Sequence, residues 1–185
     1  PTAATPPRLP PSLPYKPATN RSLRMSVLFP HVAFDHVETP LSFATRLANF
    51  HLRSTVVPFL HDLGIKPEAL LGNEEPAIDR LAAVADVDAS TLRHNAARRT
   101  GKRQFSLRGH DVSAEFFSSP KNVFCPACVL EDDTEADDVG SVRRGRLEWT
   151  IGSVYTCARH RLALTHRRPQ QWDDKFHELA RRVPE

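Results

Sequence analysis

Cysteine is scarce in this chain, with three residues among 185. Three cysteines at metal-ligand spacing fit a reducing compartment better than a disulfide framework. Glycine is almost as sparse, at seven residues, and no glycine-rich loop of the kind that cradles phosphates occurs. Aromatic residues make up 8%, and the only methionine is Met25. No apolar run approaches the roughly 20 residues that a membrane-spanning helix needs. The N-terminus has no apolar stretch of the kind a secretory leader carries. The expected location is therefore the cytoplasm of a prokaryote, with no membrane partner. A hydrophobic content of 40% in this length supports one or two small cores and no large enzyme barrel.

Charge is plentiful, and it is segregated. The formal net charge is only +3, with a pI near 9.0. Between Leu92 and His110 stand six bases and no acid: Arg93, Arg98, Arg99, Lys102, Arg103 and Arg108. Between Glu131 and Asp138 stand six acids and no base, and from Arg143 to Arg168 Glu148 is the only acid. Basic blocks attract polyanions more strongly than the mean charge suggests; a solvated face is the plainer alternative for each.

Hydrophobic periodicity divides the chain into four parts. Residues 1–24 are rich in Pro, Ala, Ser and Thr, with four bases and no acid. They read as a disordered extension, and Met25 is a candidate natural start. Residues 25–102 read as a helical, helix-turn-helix-like domain. Thr39 suits an N-cap and Pro40 a first helical position, followed by Leu41, Ala44, Leu47 and Ala48 at helical spacing. A second helix is expected over about Thr55–Leu63, ended by Gly64. After a loop come helices over Glu75–Ala85 and from Asp88 or Ala89 to Arg98. Residues 103–168 read as a β-hairpin followed by a metal-binding segment. Phe105, Leu107, His110 and Val112 alternate about Arg108–Gly109. The acidic stretch is expected to be a solvated loop, with Mg2+ or Ca2+ binding as the alternative. A short element over Arg146–Val154 and a short strand over Leu162–Thr165 follow. Residues 169–185 read as an amphipathic helix with Trp172, Phe176, Leu179 and Ala180 on its apolar side. Trp149 and Trp172 read as core or interface residues. The expected fold class is mainly α with small β elements: a helix-turn-helix-like domain, then a zinc-ribbon-like knuckle domain.

Two constellations carry chemistry. Cys125, Cys128, Cys157 and His160 form C-x2-C-x28-C-x2-H. Each two-residue gap lets a tight turn present two donors, and two such turns supply the four soft or borderline ligands of tetrahedral Zn2+. Four strong ligands leave no open position, so one structural Zn2+ is expected and no catalytic residue. Cys125 lies inside this set and is not a candidate nucleophile, and His166 lacks a paired partner. The second constellation is L-A-A-V-A-D-V-D-A-S-T-L-R, Leu81 to Arg93, which has the shape of a helix-turn-helix with Asp86 in the turn. If its second helix enters a major groove, Ser90, Thr91, Arg93 and His94 are the candidates to touch bases or phosphates. Arg98, Arg99, Lys102 and Arg103 would then meet phosphates near the end of that helix. Two packed helices with a solvated basic face are the alternative.

The runs F-C-P-A-C-V-L-E-D, G-R-L-E-W and V-Y-T-C-A-R-H-R-L-A-L together resemble the TniQ family of transposition proteins. The opening P-L-S-F-A-T-R-L-A, Pro40 to Ala48, is similar to that family's first segment, with Glu38 and Ser42 at its Glu-x-x-x-Ser-like start. The resemblance covers roughly Phe29 to His166. It implies a non-enzymatic adaptor that selects transposition target sites by linking DNA or a targeting complex to the transposition machinery. It implies double-stranded DNA, a transposition ATPase or targeting complex, and a second copy of the chain as partners. It carries the metal ligands over to Cys125, Cys128, Cys157 and His160. Many members have a further C-P-x-C knuckle after the apolar run; here no cysteine follows Leu164. A stand-alone member that retains only the interaction module, or a helix-turn-helix transcription regulator without a transposition role, is the alternative.

Overall fold

Thr39 and Pro40 begin the first helix as their chemistry predicts. In the computed structural model, which describes residues 27–52, 55–117, 122–167, 175, 176, 178 and 179, α1 spans Pro40–Leu52. The Ser42 N–H donates to Thr39 Oγ1 at 3.1 Å, which satisfies one of the donors a helix start leaves open. Helix α1 is buried along Pro40–Ala48 and is the centre of the fold. Helix α2 (Val56–Asp62) is followed by Gly64 at φ +69, a left-handed residue of the kind that favours glycine. The expected extension over 1–24, Met25 and most of the expected C-terminal helix lie outside the described residues.

Two helical expectations need correction. A five-residue helix, α3 (Pro67–Leu71), stands where a loop was expected. It is shorter than two turns, so no period is visible, yet it buries Pro67 and Leu70. Helix α4 (Glu75–Ala85) has the expected bounds and ends at Asp86 in the left-handed region, φ 54. Helix α5 (Ala89–His94) opens with the Asp88 carboxylate accepting from the Ser90 N–H at 2.9 Å. It stops four residues short of Arg98. Asn95, buried, donates from its side chain to the carbonyls of His36 (2.6 Å) and Glu38 (2.8 Å). The chain then enters β1 (Arg98–Arg99), which pairs with β2 (Gln104–Leu107). Strand β2 pairs in turn with β3 (His110–Ser113) to give the expected hairpin, in an antiparallel sheet ordered β1-β2-β3.

A second, two-stranded sheet joins β4 (Asn122–Phe124) to β5 (Thr165–Arg167), with Val123 opposite His166 and Phe124 opposite Thr165. Strand β5 starts where the expected strand over Leu162–Thr165 ends, and His166 is exposed upon it. Between the strands lie α6 (Pro126–Asp133), α7 (Val139–Val142) and a 3-10 turn over Leu147–Thr150. The described residues thus hold seven α-helices with two small sheets. One buried cluster is built from α1 to α5 and includes Phe176. The other gathers Val123, Phe124, Val129, Trp149, Leu164 and Leu179 about the three cysteines.

Glu38, just before α1, and Ser42 and Arg46 on it join that helix to the segment around α7. Glu38 is 0% exposed. Arg46 Nη1 donates to Glu38 Oε1 at 2.5 Å and its Nε to the Ser141 carbonyl at 3.0 Å. The Ser42 hydroxyl donates to Glu38 Oε2 (3.2 Å) and accepts from the Gly145 N–H (2.7 Å). Gly140 allows α7 to approach α1 closely: a Cβ there would lie 2.7 Å from the Asn49 side chain, which would have to shift.

Burial drives the Glu38 carboxyl up to about 7, against the opposing pull of Arg46 and of its hydrogen bonds. The folded protein therefore binds more protons than the unfolded chain between the ordinary value of 4.5 and 7. Stability must fall as pH rises through that window and level off above it. Wild type is expected to lose on the order of 1–3 kcal/mol across it relative to Glu38→Gln, which cannot titrate. Urea unfolding of both proteins at several pH values measures this, and parallel profiles would contradict it.

Candidate metal centre

Strand pairing brings two knuckles that are far apart in the chain to one point. Strand β4 ends at Phe124; Cys125 is the N-cap of α6, and Cys128 lies in its first turn. Residues three apart in such a turn share a face. The second pair sits on a tight turn. The Arg161 N–H donates to the Cys157 carbonyl at 2.8 Å and the Cys157 N–H to the Leu162 carbonyl at 2.9 Å. A bridge between Thr156 and Ala163 closes its base. Because β5 follows this turn and pairs with β4, the turn is laid against the start of α6.

The four side chains meet as a cluster. Cys128 Sγ lies 3.6 Å from Cys157 Sγ. His160 Nδ1 lies 3.2 Å from Cys128 Sγ and 3.6 Å from the sulfurs of Cys125 and Cys157. All four donor atoms fall within 4.8 Å of one another. Ligands about 2.3 Å from a tetrahedral ion stand about 3.8 Å apart, so this spacing fits one ion. It is too wide for a disulfide, in which the sulfurs lie about 2.05 Å apart. The three cysteines are buried. Donors of this kind, three sulfurs and one imidazole nitrogen, suit a borderline-soft cation.

Burial pushes the Cys128 thiol well above its ordinary range. Burial opposes ionisation of Cys157 too, but hydrogen bonds from the His160 N–H and ring and from Cys128 bring it down to about 7. The ring of His160 presents Nδ1 to the sulfurs and Nε2 to Glu131, whose Oε1 is 3.0 Å away. That hydrogen bond raises the His160 pKa and lowers that of Glu131. A carboxylate on the outer nitrogen fixes the ring and its tautomer for a metal on the inner one. Glu131 was not a candidate in the sequence, although its place on α6, three residues after Cys128, carries the signal.

The acidic stretch is a solvated loop only from Thr134 to Asp138, which is exposed and outside any helix; its first three residues are not. Glu131, Asp132 and Asp133 belong to α6, and Asp132 is 3% exposed. Its carboxylate accepts from the Arg144 N–H (2.9 Å), from Arg144 Nη1 (3.2 Å) and from Arg146 Nη1 and Nη2 (3.2 and 3.0 Å). Asp133 binds Arg143 through two bonds of 2.7 and 2.8 Å. Glu135 binds Arg144 through two of 2.8 and 2.6 Å. The acidic and basic blocks neutralise one another across α6, so these carboxylates are taken by arginines and do not form an oxygen cage for Mg2+ or Ca2+. Arg146 also lies 5.0 Å from the centre of the Trp149 ring, which continues the network into the metal-side core.

The eight basic-block candidates are all exposed. Ser90, Thr91, Arg93 and His94 lie together on α5; Arg98 and Arg99 lie on β1; Lys102 and Arg103 lie on the connection to β2. The Ser90 hydroxyl donates to Asp88 at 2.6 Å. Arg93 pairs with Asp79, Arg98 with Glu75 and Arg103 with Glu115, while Arg99 donates to the carbonyls of Gly101 and Lys102. No helix among the described residues is long and apolar enough to cross a membrane.

Fold and site together define a mixed helical protein with small sheets, closed around a Cys3His cluster that can hold one metal ion. The chain belongs to the TniQ family, whose family model matches residues 29–164. No curated protein and no solved structure matches it.

Proposed function

We propose that this protein is a zinc-stabilised, non-enzymatic adaptor that binds DNA and acts in transposition target-site selection. It would link duplex DNA or a targeting complex to a transposition ATPase, in the cytoplasm of a prokaryote and as a homodimer. The observation that carries this reading is the family match, which spans both the α4–α5 helix pair and the Cys/His cluster. In this reading residues 25–102 form the helix-turn-helix-like domain and residues 103–168 the zinc-ribbon-like one. The left-handed Asp86 turns the chain between α4 and α5, Leu92 anchors α5 in the core, and Ser90, Thr91, Arg93 and His94 stay on its outer face. Zn2+ is the assigned ion because four N and S donors in closed array suit it and leave no position for a reacting water. It serves as a staple, and the function lies on the basic helix and a partner surface.

The ion pairs of Arg93, Arg98 and Arg103 favour a second reading, a protein-interaction module or regulator whose basic face is neutralised and meets no DNA. Exposed pairs of this kind are worth only about 0–1 kcal/mol, so a phosphate can displace the carboxylate. DNA contact predicts binding to duplex that weakens steeply with salt. Reversing Arg93 and Arg98 to Glu together is expected to lower duplex affinity on the order of 100-fold or more. Fluorescence anisotropy on a labelled duplex reads this directly. Wild-type protein that binds no duplex at any salt would leave the interaction module as the better account.

A further inference from the structure

We propose that the β2–β3 turn, Arg108–Gly109, is a second DNA-contacting element beside α5, and that the cleft between them receives a backbone phosphate of duplex DNA. This rests on the DNA-binding reading above and extends it to a residue outside the helix pair. The cleft has a volume of about 330 Å3 and is lined by Ser90, Arg93, His94, Arg98, Arg108 and Gly109, among others. Three arginines therefore line one recess, with Glu75 the only acid among the lining residues and Asp79 paired with Arg93 beside it. Glu75 is itself the half-exposed partner of Arg98, a pairing that holds weakly against a competing phosphate.

The backbone of the turn points the same way. Arg108 has φ 52 and Gly109 φ 80, so both central residues are left-handed, the geometry of a type I′ hairpin turn. Asn-Gly is the favoured pair there, and an arginine at its first position is strained. The turn gains nothing from arginine; the side chain explains it. Arg108 Nη2 donates to Asn95 Oδ1 at 2.8 Å. Asn95 is buried and holds the carbonyls of His36 and Glu38. This contact fastens the tip of the hairpin to the end of α5. A guanidinium has five N–H donors in a fixed fork, and Arg108 is exposed and lines the cleft, so donors remain for a ligand beside it. A fork held this way matches a phosphate. The arrangement is a wing standing next to a helix-turn-helix.

Fluorescence anisotropy of a fluorescein-labelled, mixed-sequence duplex, titrated across NaCl concentrations, tests the proposal. Arg108→Asn creates the favoured Asn-Gly turn, so its Tm should equal or exceed that of wild type. Its duplex affinity should nevertheless fall about tenfold, with a salt slope smaller by about one. Arg108→Lys keeps the charge and should restore the slope. If Arg108→Asn binds as wild type does while Arg93→Glu with Arg98→Glu loses binding, the helix reading stands and the wing is overturned. If Arg108→Asn loses thermal stability together with affinity, Arg108 is only a structural tether and the proposal fails. If wild type binds no duplex, both readings fall together.

Discussion

Cys157→Ser will strip the metal from this protein and unfold the part of the chain built around it. Cys157 is wholly buried and supplies one of the four donors. Among the described residues the second apolar cluster consists of the three cysteines with six other buried side chains. A Zn2+ ion held by the four residues would supply a large part of that cluster's cohesion. Apparent binding free energies for structural Zn2+ are about 10–16 kcal/mol in small zinc modules, as large as the whole stability of a typical domain, about 5–15 kcal/mol. Serine offers a hard, protonated oxygen in place of a thiolate, so the ion loses a strong ligand and gains none. Elemental analysis of wild type should give about one Zn2+ per chain and of Cys157→Ser close to none. Hydrogen exchange should show β4, α6 and β5 losing protection in the variant, and a chelator should bring wild type to the same state. A variant that kept both its metal and its protection would sink the assignment.

The second large effect is expected at Asp132. Its single carboxylate accepts from the side chains of Arg144 and Arg146 and from the Arg144 N–H. Arg146 is buried with it. Asp132→Asn keeps the shape but leaves guanidinium charge in a dry site. Breaking one side of a buried pair costs about 3–5 kcal/mol, because the remaining charge is uncompensated. Removing both charges, with Arg146→Met added to Asp132→Asn, should recover a substantial part of that loss, since an apolar replacement of a buried pair is often near neutral. Urea unfolding of the two single variants and the double variant closes the cycle. A loss below about 1 kcal/mol for Asp132→Asn would place the network in the class of solvated surface pairs.

Much of this was readable locally. The start of α1 follows from Thr39–Pro40, and α4 from its apolar repeat. The β2–β3 hairpin follows from alternation around Arg108–Gly109, and the Cys/His cluster from two two-residue gaps. Each is written within a few residues, the range over which caps, turns and periods act. The misreadings have the opposite character. Helix α5 was expected to reach Arg98, but Asn95 is claimed by the carbonyls of His36 and Glu38, more than 50 residues back in the chain. Asp132 and Asp133 read as part of a solvated loop because their arginine partners stand about ten residues further on. Helix α3 carries no local signal, because five residues show no period.

The sequence by itself determined the family, the four residues of the Cys/His cluster and most element starts, since these depend on side-chain chemistry at short spacing. Only the tertiary structure decided which charges are buried. It drew Glu38 into contact with Arg46 and Arg46 into contact with Ser141, turned the Asp132 carboxylate inward, set Glu131 behind His160 and laid the Arg108 turn beside α5. Burial and ion pairing belong to segments that meet only when the chain is folded, and β4 must find β5 across the whole metal-binding segment before the two knuckles can share an ion.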